Sequence, residues 1–228
     1  MATRGARPKA KASPRRRSVR AGRPSREAAH QLREHILQVA TQLLLAQGYG
    51  ATSIEEVARQ ARVSKRTIYD RFADKPELMR AVVVHLIDSL RPAAEEPLIQ
   101  GENLEQILVR LAALILRAAL TPRALALHRL IVAESQRFPE LASAIATAGG
   151  RQEAVALISG LLMRHGAQGE LKAPDAQFAA QQFLQMVVSL PQLRAIGFGS
   201  RMTAAELDAW AKRSVALFLR GIRKLSSA

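Results

Sequence analysis

The chain has 228 residues, of which 48% are hydrophobic and none is cysteine. It can therefore bury the core of one long domain or two small ones, and it contains no disulfide, thiolate metal site or cysteine nucleophile. Its formal net charge of +15 favours polyanionic partners. Its most apolar segment, residues 104–120, is interrupted by two arginines, so we expect no membrane span; no secretory signal is evident near the N-terminus.

The chain begins with a basic arm, residues 1–26, that contains ten Lys or Arg residues and no acidic residue. Because it is rich in Ala, Pro and Ser, we predict that it is disordered. One interpretation is an arm that contacts DNA beside a recognition helix, with Arg20 and Arg23 as candidates. The other is a solvated tail that only raises nonspecific affinity. A mitochondrial transit peptide is disfavoured because an amphipathic leucine pattern is missing.

Apolar residues then repeat at three- and four-residue spacing, with no strand-like alternation, which predicts an all-α protein of about nine helices. The first helix is predicted over residues 27–47 and ends at Gly48, a residue suited to a helix C-terminus. A second helix begins at a capping box in which Ser53 accepts the Glu56 N–H and the Glu56 carboxylate bonds the Ser53 N–H. In the turn that follows, Arg62 would cost about 1 kcal/mol if held at positive φ.

The third helix has the features of a DNA-recognition helix. Ser64 caps it, and it is predicted to run to about Phe72 and to bury Ile68 and Phe72. It turns outward a set of side chains suited to DNA: Lys65, Arg66, Thr67, Tyr69 and Arg71. Arg66 can bond guanine bidentately, and the Thr67 methyl can pack on a thymine methyl. Asp70 and Arg71 lie at the edge of this face, where a solvated charge is an equally good interpretation.

A fourth helix is predicted from Asp74-Lys75-Pro76-Glu77, which supplies a cap, an early proline and a capping-box glutamate, to Leu90. Residues 92–101 form a connection. The remaining helices are predicted at 102–120, 122–136, 138–165, 174–196 and 203–223, and Gly149-Gly150 could kink the third of these.

The second and third helices and the turn between them form a helix-turn-helix. This unit resembles the DNA-binding domain of the tetracycline-repressor (TetR) family of transcriptional regulators. The resemblance rests on Gly48-Tyr49-Gly50-Ala51-Thr52-Ser53, Val63-Ser64-Lys65-Arg66-Thr67-Ile68-Tyr69 and Asp74-Lys75-Pro76-Glu77-Leu78. It implies phosphate contacts by Thr52, Ser53, Ser64, Tyr69 and Lys75. It also implies a homodimer and a fourth helix that shifts when a small molecule binds the C-terminal bundle. Residues 129–141 resemble the AefR-like C-terminal branch of this family.

The last two helices are expected to form the dimer, since two helix-turn-helix units related by a twofold axis can contact successive major grooves. The expected interface residues are Phe178, Met186, Leu190, Leu207, Trp210, Ser214 and Phe218. An equally good interpretation is that these apolar stripes face the protomer's own core. The candidates for an effector pocket are His128, Glu134, Arg137 and Phe183. For His128 a core role is the more common one, and Glu134 with Arg137 could be a helix-surface ion pair.

The sequence thus predicts a basic arm (1–26), a DNA-binding domain (27–74) and a ligand-binding and dimerisation domain (75–228). The hypothesis is a cytoplasmic, homodimeric regulator, most simply a repressor of a palindromic operator in double-stranded DNA that a small-molecule inducer releases. Known catalytic motifs are absent and the histidines are scattered, so no enzyme, metal site or cofactor is expected. Alternatives are a sequence-independent, nucleoid-type DNA protein and an effector-storage or interaction protein with a degenerate DNA-binding domain.

Overall fold

The computed structural model describes residues 26–90, 103–167 and 175–225. These residues form ten helices: α1 Arg26–Ala51, α2 Ile54–Ala61, α3 Lys65–Tyr69, α4 Lys75–Ser89, α5 Leu104–Ala119, α6 Pro122–Glu134, α7 Pro139–Thr147, α8 Gly150–Ala167, α9 Ala176–Ala195 and α10 Ala204–Leu225. The predicted all-α class is confirmed. The predicted connection over 92–101, with Arg20 and Arg23 of the arm, lies outside the described residues.

Short polar side chains begin most of these helices. Each accepts a hydrogen bond from the backbone N–H three residues later and so satisfies a donor that the helix leaves free. The capping residues are Ser53, Ser64, Asp74, Asn103, Thr121 and Asp175. Three of them, Ser53, Ser64 and Asp74, set the starts of the helices that form and follow the helix-turn-helix.

Glycines mark two breaks. Gly48 interrupts α1 at φ 84° and ψ 173°, a conformation open essentially only to glycine. The regular part of α1 therefore ends at Gly48 as predicted, and a short further turn follows to Ala51. The single helix predicted over 138–165 is wrong, because the chain divides into α7 and α8 at Gly149, which has φ 87°. The Gln152 side chain then donates to the carbonyl of Ala146 across the break, at 2.8 Å.

The helices pack around two hydrophobic cores. The N-terminal core joins α1–α4 to α6 and α7, with Leu127, Leu130 and Leu141 buried beside the DNA-binding helices. The C-terminal core joins α5, α8, α9 and α10, where the rings of Phe183 and Phe218 lie 5.0 Å apart. Helices α6 and α7 therefore attach the second half of the chain directly to the helix-turn-helix.

Within the described ranges, no helix is long and apolar enough to cross a membrane.

Candidate nucleic-acid interface

Helix α2 is fixed at its start by Ser53, whose hydroxyl accepts the Glu56 N–H at 3.1 Å. The reciprocal half of the predicted capping box is wrong. The Glu56 carboxylate instead accepts from Arg59, at 2.6 and 2.9 Å, and from Gln60 at 2.7 Å. These donors, Arg59 first, lower the pKa of Glu56 to about 2. The carboxylate therefore stabilises the exposed side of α2 and not the backbone before it.

Arg62 makes the turn between α2 and α3 in the left-handed conformation, with φ 55° and ψ 41°. Its N–H bonds the carbonyls of Ala58 and Arg59, and the Val63 N–H bonds Ala58 at 3.0 Å. This pattern is a Schellman-type C-cap, a position that glycine usually occupies. Arg62 therefore has the positive φ for which the sequence predicts strain, and its side chain is exposed.

The recognition helix α3 is short, and its neighbours hold it in place. It has five residues, too few for an independently stable helix. Ser64 accepts the Thr67 N–H at 3.0 Å, and a further turn brings the Phe72 N–H to the Ile68 carbonyl at 2.9 Å. Ile68 and Phe72 are fully buried, which contributes about 1.5–3 kcal/mol each. The helix proper ends three residues before the predicted end, yet both predicted anchors are buried.

The outward face of α3 contains the predicted recognition side chains. Arg66 and Tyr69 are exposed, whereas Thr67 and Arg71 are half-buried. Arg71 donates to the Thr67 carbonyl at 3.0 Å, and Lys65 forms an ion pair with Glu55 at 2.7 Å. Among the described residues, the Arg66 guanidinium has no side-chain hydrogen bond or ion pair. Arg66 is therefore the cation of α3 best placed to bond an external acceptor.

Three of the side chains expected to contact phosphate make hydrogen bonds within the protein. The Thr52 side chain is 0% exposed, and its hydroxyl donates to the Gly48 carbonyl at 2.7 Å. Its expected side-chain contact with phosphate is therefore wrong, because no phosphate can reach a fully buried hydroxyl. The Ser53 hydroxyl is half-buried and acts as the α2 cap. Ser64 is exposed, but its hydroxyl also caps a helix.

Lys75, at the start of α4, is half-buried against the end of α1. Its ammonium donates to the Gly50 carbonyl at 3.3 Å and lies 4.7 Å from the centre of the Tyr49 ring. Burial lowers the pKa of Lys75, while Glu134 and Glu140 oppose that shift. The ammonium remains close to the surface but is held in one place.

Arg33 of α1 is a cation near α3 that the sequence analysis missed. Its guanidinium lies 4.7 Å from the centre of the Phe72 ring, so it covers the residue that anchors the end of the recognition segment. A signal was present, since Arg33 lies on the same strip of α1 as the buried Ile36 and Ala40.

The four residues expected to line an effector pocket do not meet. Phe183 is fully buried in the C-terminal core, and Arg137 is exposed, with its guanidinium 5.5 Å from the Phe138 ring. The Glu134 carboxylate accepts from the backbone of Tyr49 and not from the Arg137 guanidinium, although the Arg137 N–H donates to the Glu134 carbonyl. His128 is half-buried, which lowers its pKa. In the described residues these four side chains therefore do not form one pocket, and the position of the effector pocket stays a prediction.

Two clefts are present in the described part of the chain. One of about 460 Å³ lies between α8 and α9 and is lined by Arg151, Gln152, Val155, Ala156, Ser159, Gln177 and Gln181. The other, of about 330 Å³, lies among α1, α4 and α6, and Glu34, His85 and Arg123 are among the residues that line it. None of the four expected pocket residues lines either cleft.

The last two helices contain exposed apolar side chains. Phe178 and Leu190 are 57% and 40% exposed, as an interface would require, and Leu193 and Leu217 are exposed as well. Met186, Leu207 and Trp210 pack partly against the C-terminal core, where the Trp210 indole N–H donates to the Val187 carbonyl at 2.9 Å.

Ser214 and Phe218 are corrections to the expected interface. Each is 5% exposed and lies inside its own protomer, so neither has surface to offer a second copy.

Comparison with known proteins agrees with this geometry. A family model for bacterial regulatory proteins of the tetR family matches residues 36–82, and one for the C-terminal domain of AefR-like transcriptional repressors matches residues 106–221. The HTH-type transcriptional regulator AcrR of Shigella flexneri is 38% identical over 60 residues, which span 26% of this chain and 28% of that protein.

Solved structures match over a longer range. A TetR-family transcriptional regulator from Mesorhizobium loti MAFF303099 is 29% identical with a TM-score of 0.72, covering 86% of this chain and 98% of that one. The flavonoid-responsive regulator FrrA is also 29% identical with a TM-score of 0.72, covering 84% and 97%. The nucleoid-type alternative finds no support in these matches. The chain belongs to the tetR family of bacterial regulatory proteins and has an AefR-like C-terminal domain.

Proposed function

We propose that the protein is a DNA-binding transcriptional repressor that recognises a palindromic operator as a homodimer and is released by a small molecule. The observation that carries this proposal is the outward face of α3, where exposed Arg66 and Tyr69 stand on a helix held by the Ser64 cap and two buried anchors. A rigid helix presenting a cation and polar side chains suits insertion into the major groove.

Specific recognition rests on Arg66 and Thr67. The Arg66 guanidinium can donate two parallel hydrogen bonds to guanine O6 and N7, and the Thr67 methyl can pack on a thymine methyl. Phosphate contacts by Ser64, Tyr69, Lys65, Arg71 and Lys75 would set the position of the helix but carry no sequence information.

Dimerisation would use the exposed apolar residues of α9 and α10. Phe178, Leu190, Leu193 and Leu217 leave an apolar surface that a second copy can cover. A twofold axis through this surface would place two α3 helices on half-sites one helical turn, about 34–36 Å, apart.

Release by an effector requires a compound that binds the DNA-competent and released states with different affinity. The aliphatic side chains of α5 and α8 favour an apolar or amphipathic compound. FrrA is flavonoid-responsive, so flavonoids are the first compounds to test. The route proposed is a shift of α4, which packs between the DNA-binding helices and α7. We also propose that the protein acts in the cytoplasm and needs no cofactor besides the small-molecule effector.

The test is selection of duplexes from a random pool by the purified protein at about 150 mM salt, where specific and electrostatic binding separate. An enriched palindrome supports the proposal, and enrichment of no sequence contradicts it. Protein lacking residues 1–24 should select the same palindrome with lower affinity for all duplexes, whereas loss of most affinity with no preference would favour charge-driven binding.

Arg66→Ala should cost about 1–3 kcal/mol of specific binding and relax one position of the operator. Arg80→Ala, which removes another exposed arginine of the same region, is the matched control and should keep the selected sequence. An unchanged base preference in Arg66→Ala would contradict the assignment.

A further inference from the structure

The corner between α6 and α7, residues 134–140, forms hydrogen bonds with the end of α1. Glu134, the last residue of α6, accepts the N–H of Tyr49 at 3.1 Å and the N–H of Gly50 at 3.3 Å with one carboxylate oxygen. These hydrogen bonds join residues 85 and 84 positions apart. Glu134 therefore supplies an acceptor for two backbone donors just after the break at Gly48.

Tyr49 is held from the same corner. Its hydroxyl donates to Glu140 of α7 at 2.8 Å, and its ring centre lies 4.5 Å from that of Phe138. Only 3% of Tyr49 is exposed, and burial, together with Glu140, raises the pKa of its phenol. The ring is therefore fixed at its polar end and against its aromatic neighbour, and both partners belong to the AefR-like domain.

The fit leaves no room for a Cβ at Gly48, where it would overlap the Glu134 carboxylate. A Cβ at Gly50 would make only ordinary contact with the Phe138 ring, at 3.4 Å. Gly48 also has φ +84°. Glycine at position 48 thus serves both the break in α1 and the close approach of Glu134.

Lys75 contacts the same two residues, Tyr49 and Gly50, at the end of α1. Its ammonium bonds the Gly50 carbonyl at 3.3 Å and faces the Tyr49 ring at 4.7 Å. The negative charges of Glu134 and Glu140 also favour the charged ammonium and so raise the pKa of Lys75 against the effect of burial. The position of this cation therefore depends on backbone and ring atoms that α6 and α7 hold.

We propose that Glu134 and Glu140 are positioning residues for DNA binding: they hold Tyr49 and Gly50, which hold the Lys75 ammonium in place for a DNA phosphate. The inference rests on the proposed function. It adds a path from the C-terminal domain to the DNA that runs through the end of α1 to Lys75, the first residue of α4, and that does not require a shift of α4.

Charge makes the sign of the effect diagnostic. Removing a carboxylate from a protein that binds a polyanion raises affinity if only charge matters. A loss of affinity on removing Glu134 therefore requires a positional role. Glu134→Gln removes the charge but keeps an oxygen that can accept the two N–H groups, so it separates the two effects.

The experiment measures affinity for the duplex selected by the unmodified protein, as a function of salt, in a double-mutant cycle. Glu134→Ala should lower affinity about 3- to 10-fold, as expected when hydrogen bonds to a charged group are lost. Glu134→Gln should match or exceed the unmodified protein. Lys75→Met should flatten the salt dependence by about 0.9 in slope for each bound chain, and so by about 1.8 for a duplex that binds two chains. In the Lys75→Met background, Glu134→Ala should change affinity less than about 2-fold.

Two controls keep the cycle interpretable. Glu105→Ala removes an exposed carboxylate in the first turn of α5 and should not lower affinity. If Glu134→Ala fails to fold, Tyr49→Phe replaces it, because that variant loses the bond to Glu140 and keeps the ring beside Lys75. It should show a smaller loss that also disappears without Lys75.

An equal loss with and without Lys75, or a gain of affinity in Glu134→Ala, would overturn the inference and leave the proposed function intact. If the unmodified protein binds no duplex, the proposed function fails and the inference falls with it.

Discussion

The left-handed Arg62 predicts that a single glycine will stabilise the protein. Arg62 has φ 55° and is exposed, so its replacement changes backbone strain without removing a buried contact. A residue with a Cβ costs about 1–2 kcal/mol in this conformation. Glycine also raises the entropy of the unfolded chain, which offsets about 0.4–1 kcal/mol of that gain. Arg62→Gly should therefore stabilise the fold by about 0.5–1 kcal/mol.

The assay is thermal unfolding followed by the helical circular dichroism signal, at one fixed protein concentration because a dimer's midpoint depends on concentration. For a chain of this size the gain corresponds to a rise in Tm of about 1–4 °C. Arg62→Ala removes the same charge but keeps the Cβ, so it should leave stability within about 0.5 kcal/mol. Arg62→Asn should fall between the two, because asparagine tolerates this conformation better than alanine.

The reasoning is refuted if Arg62→Gly leaves Tm unchanged or lowers it. It is also refuted if Arg62→Ala raises Tm as much as Arg62→Gly does, because the gain would then come from lost charge and not from the backbone.

Three further predictions concern the same region. Ser64→Ala should cost about 1 kcal/mol in denaturant unfolding and weaken binding to the selected duplex, whereas Ser64→Asp should keep the stability; equal losses would exclude the cap. Gly48→Ala should destabilise by about 1–3 kcal/mol, and combining it with Glu134→Ala should recover part of this loss; strict additivity would argue against their contact. The pKa of Glu56, lowered to about 2, predicts stabilisation above about pH 4.5 that is lost as pH falls towards 2. The difference in Tm between the unmodified protein and Glu56→Gln should shrink over that window, and a constant difference would contradict the assignment.

The parts of the site that could be predicted from sequence depend on neighbours within about four residues. Ser53, Ser64 and Asp74 precede apolar-periodic segments, and a capping hydroxyl or carboxylate needs only the N–H three residues later. Gly48 and Arg62 are likewise recognisable as helix ends from their position. Because such caps depend only on nearby residues, the starts of α2, α3 and α4 could be predicted from the sequence, whereas the partners of Glu56 and the end of α3 could not.

Contacts across the chain were not predictable in this way. Glu134 has a plausible local partner in Arg137, and nothing in the spacing distinguishes that pair from a bond to Tyr49, 85 positions away. Thr52 is a local exception, because its hydroxyl bonds a carbonyl only four residues away. A hydroxyl next to a helix start looks like a phosphate ligand until the Gly48 carbonyl is seen beside it.

Helix α10 shows why the interface could be predicted only in part. Its sequence places apolar residues on more than one face, since Phe218 is buried in its own core and Leu217 next to it is 63% exposed. Periodicity identifies such a helix but cannot say which stripe faces the protomer and which is left for a partner. The orientation follows only from packing against α5 and α9.

The most direct test of the account is the equilibrium affinity of the purified protein for the selected palindrome and for a shuffled duplex of equal length and composition, at about 150 mM salt. A sequence-specific dimeric regulator should bind the palindrome at least about 10³-fold more tightly than the shuffled duplex, with two chains per duplex. Equal affinity for both duplexes would contradict the account.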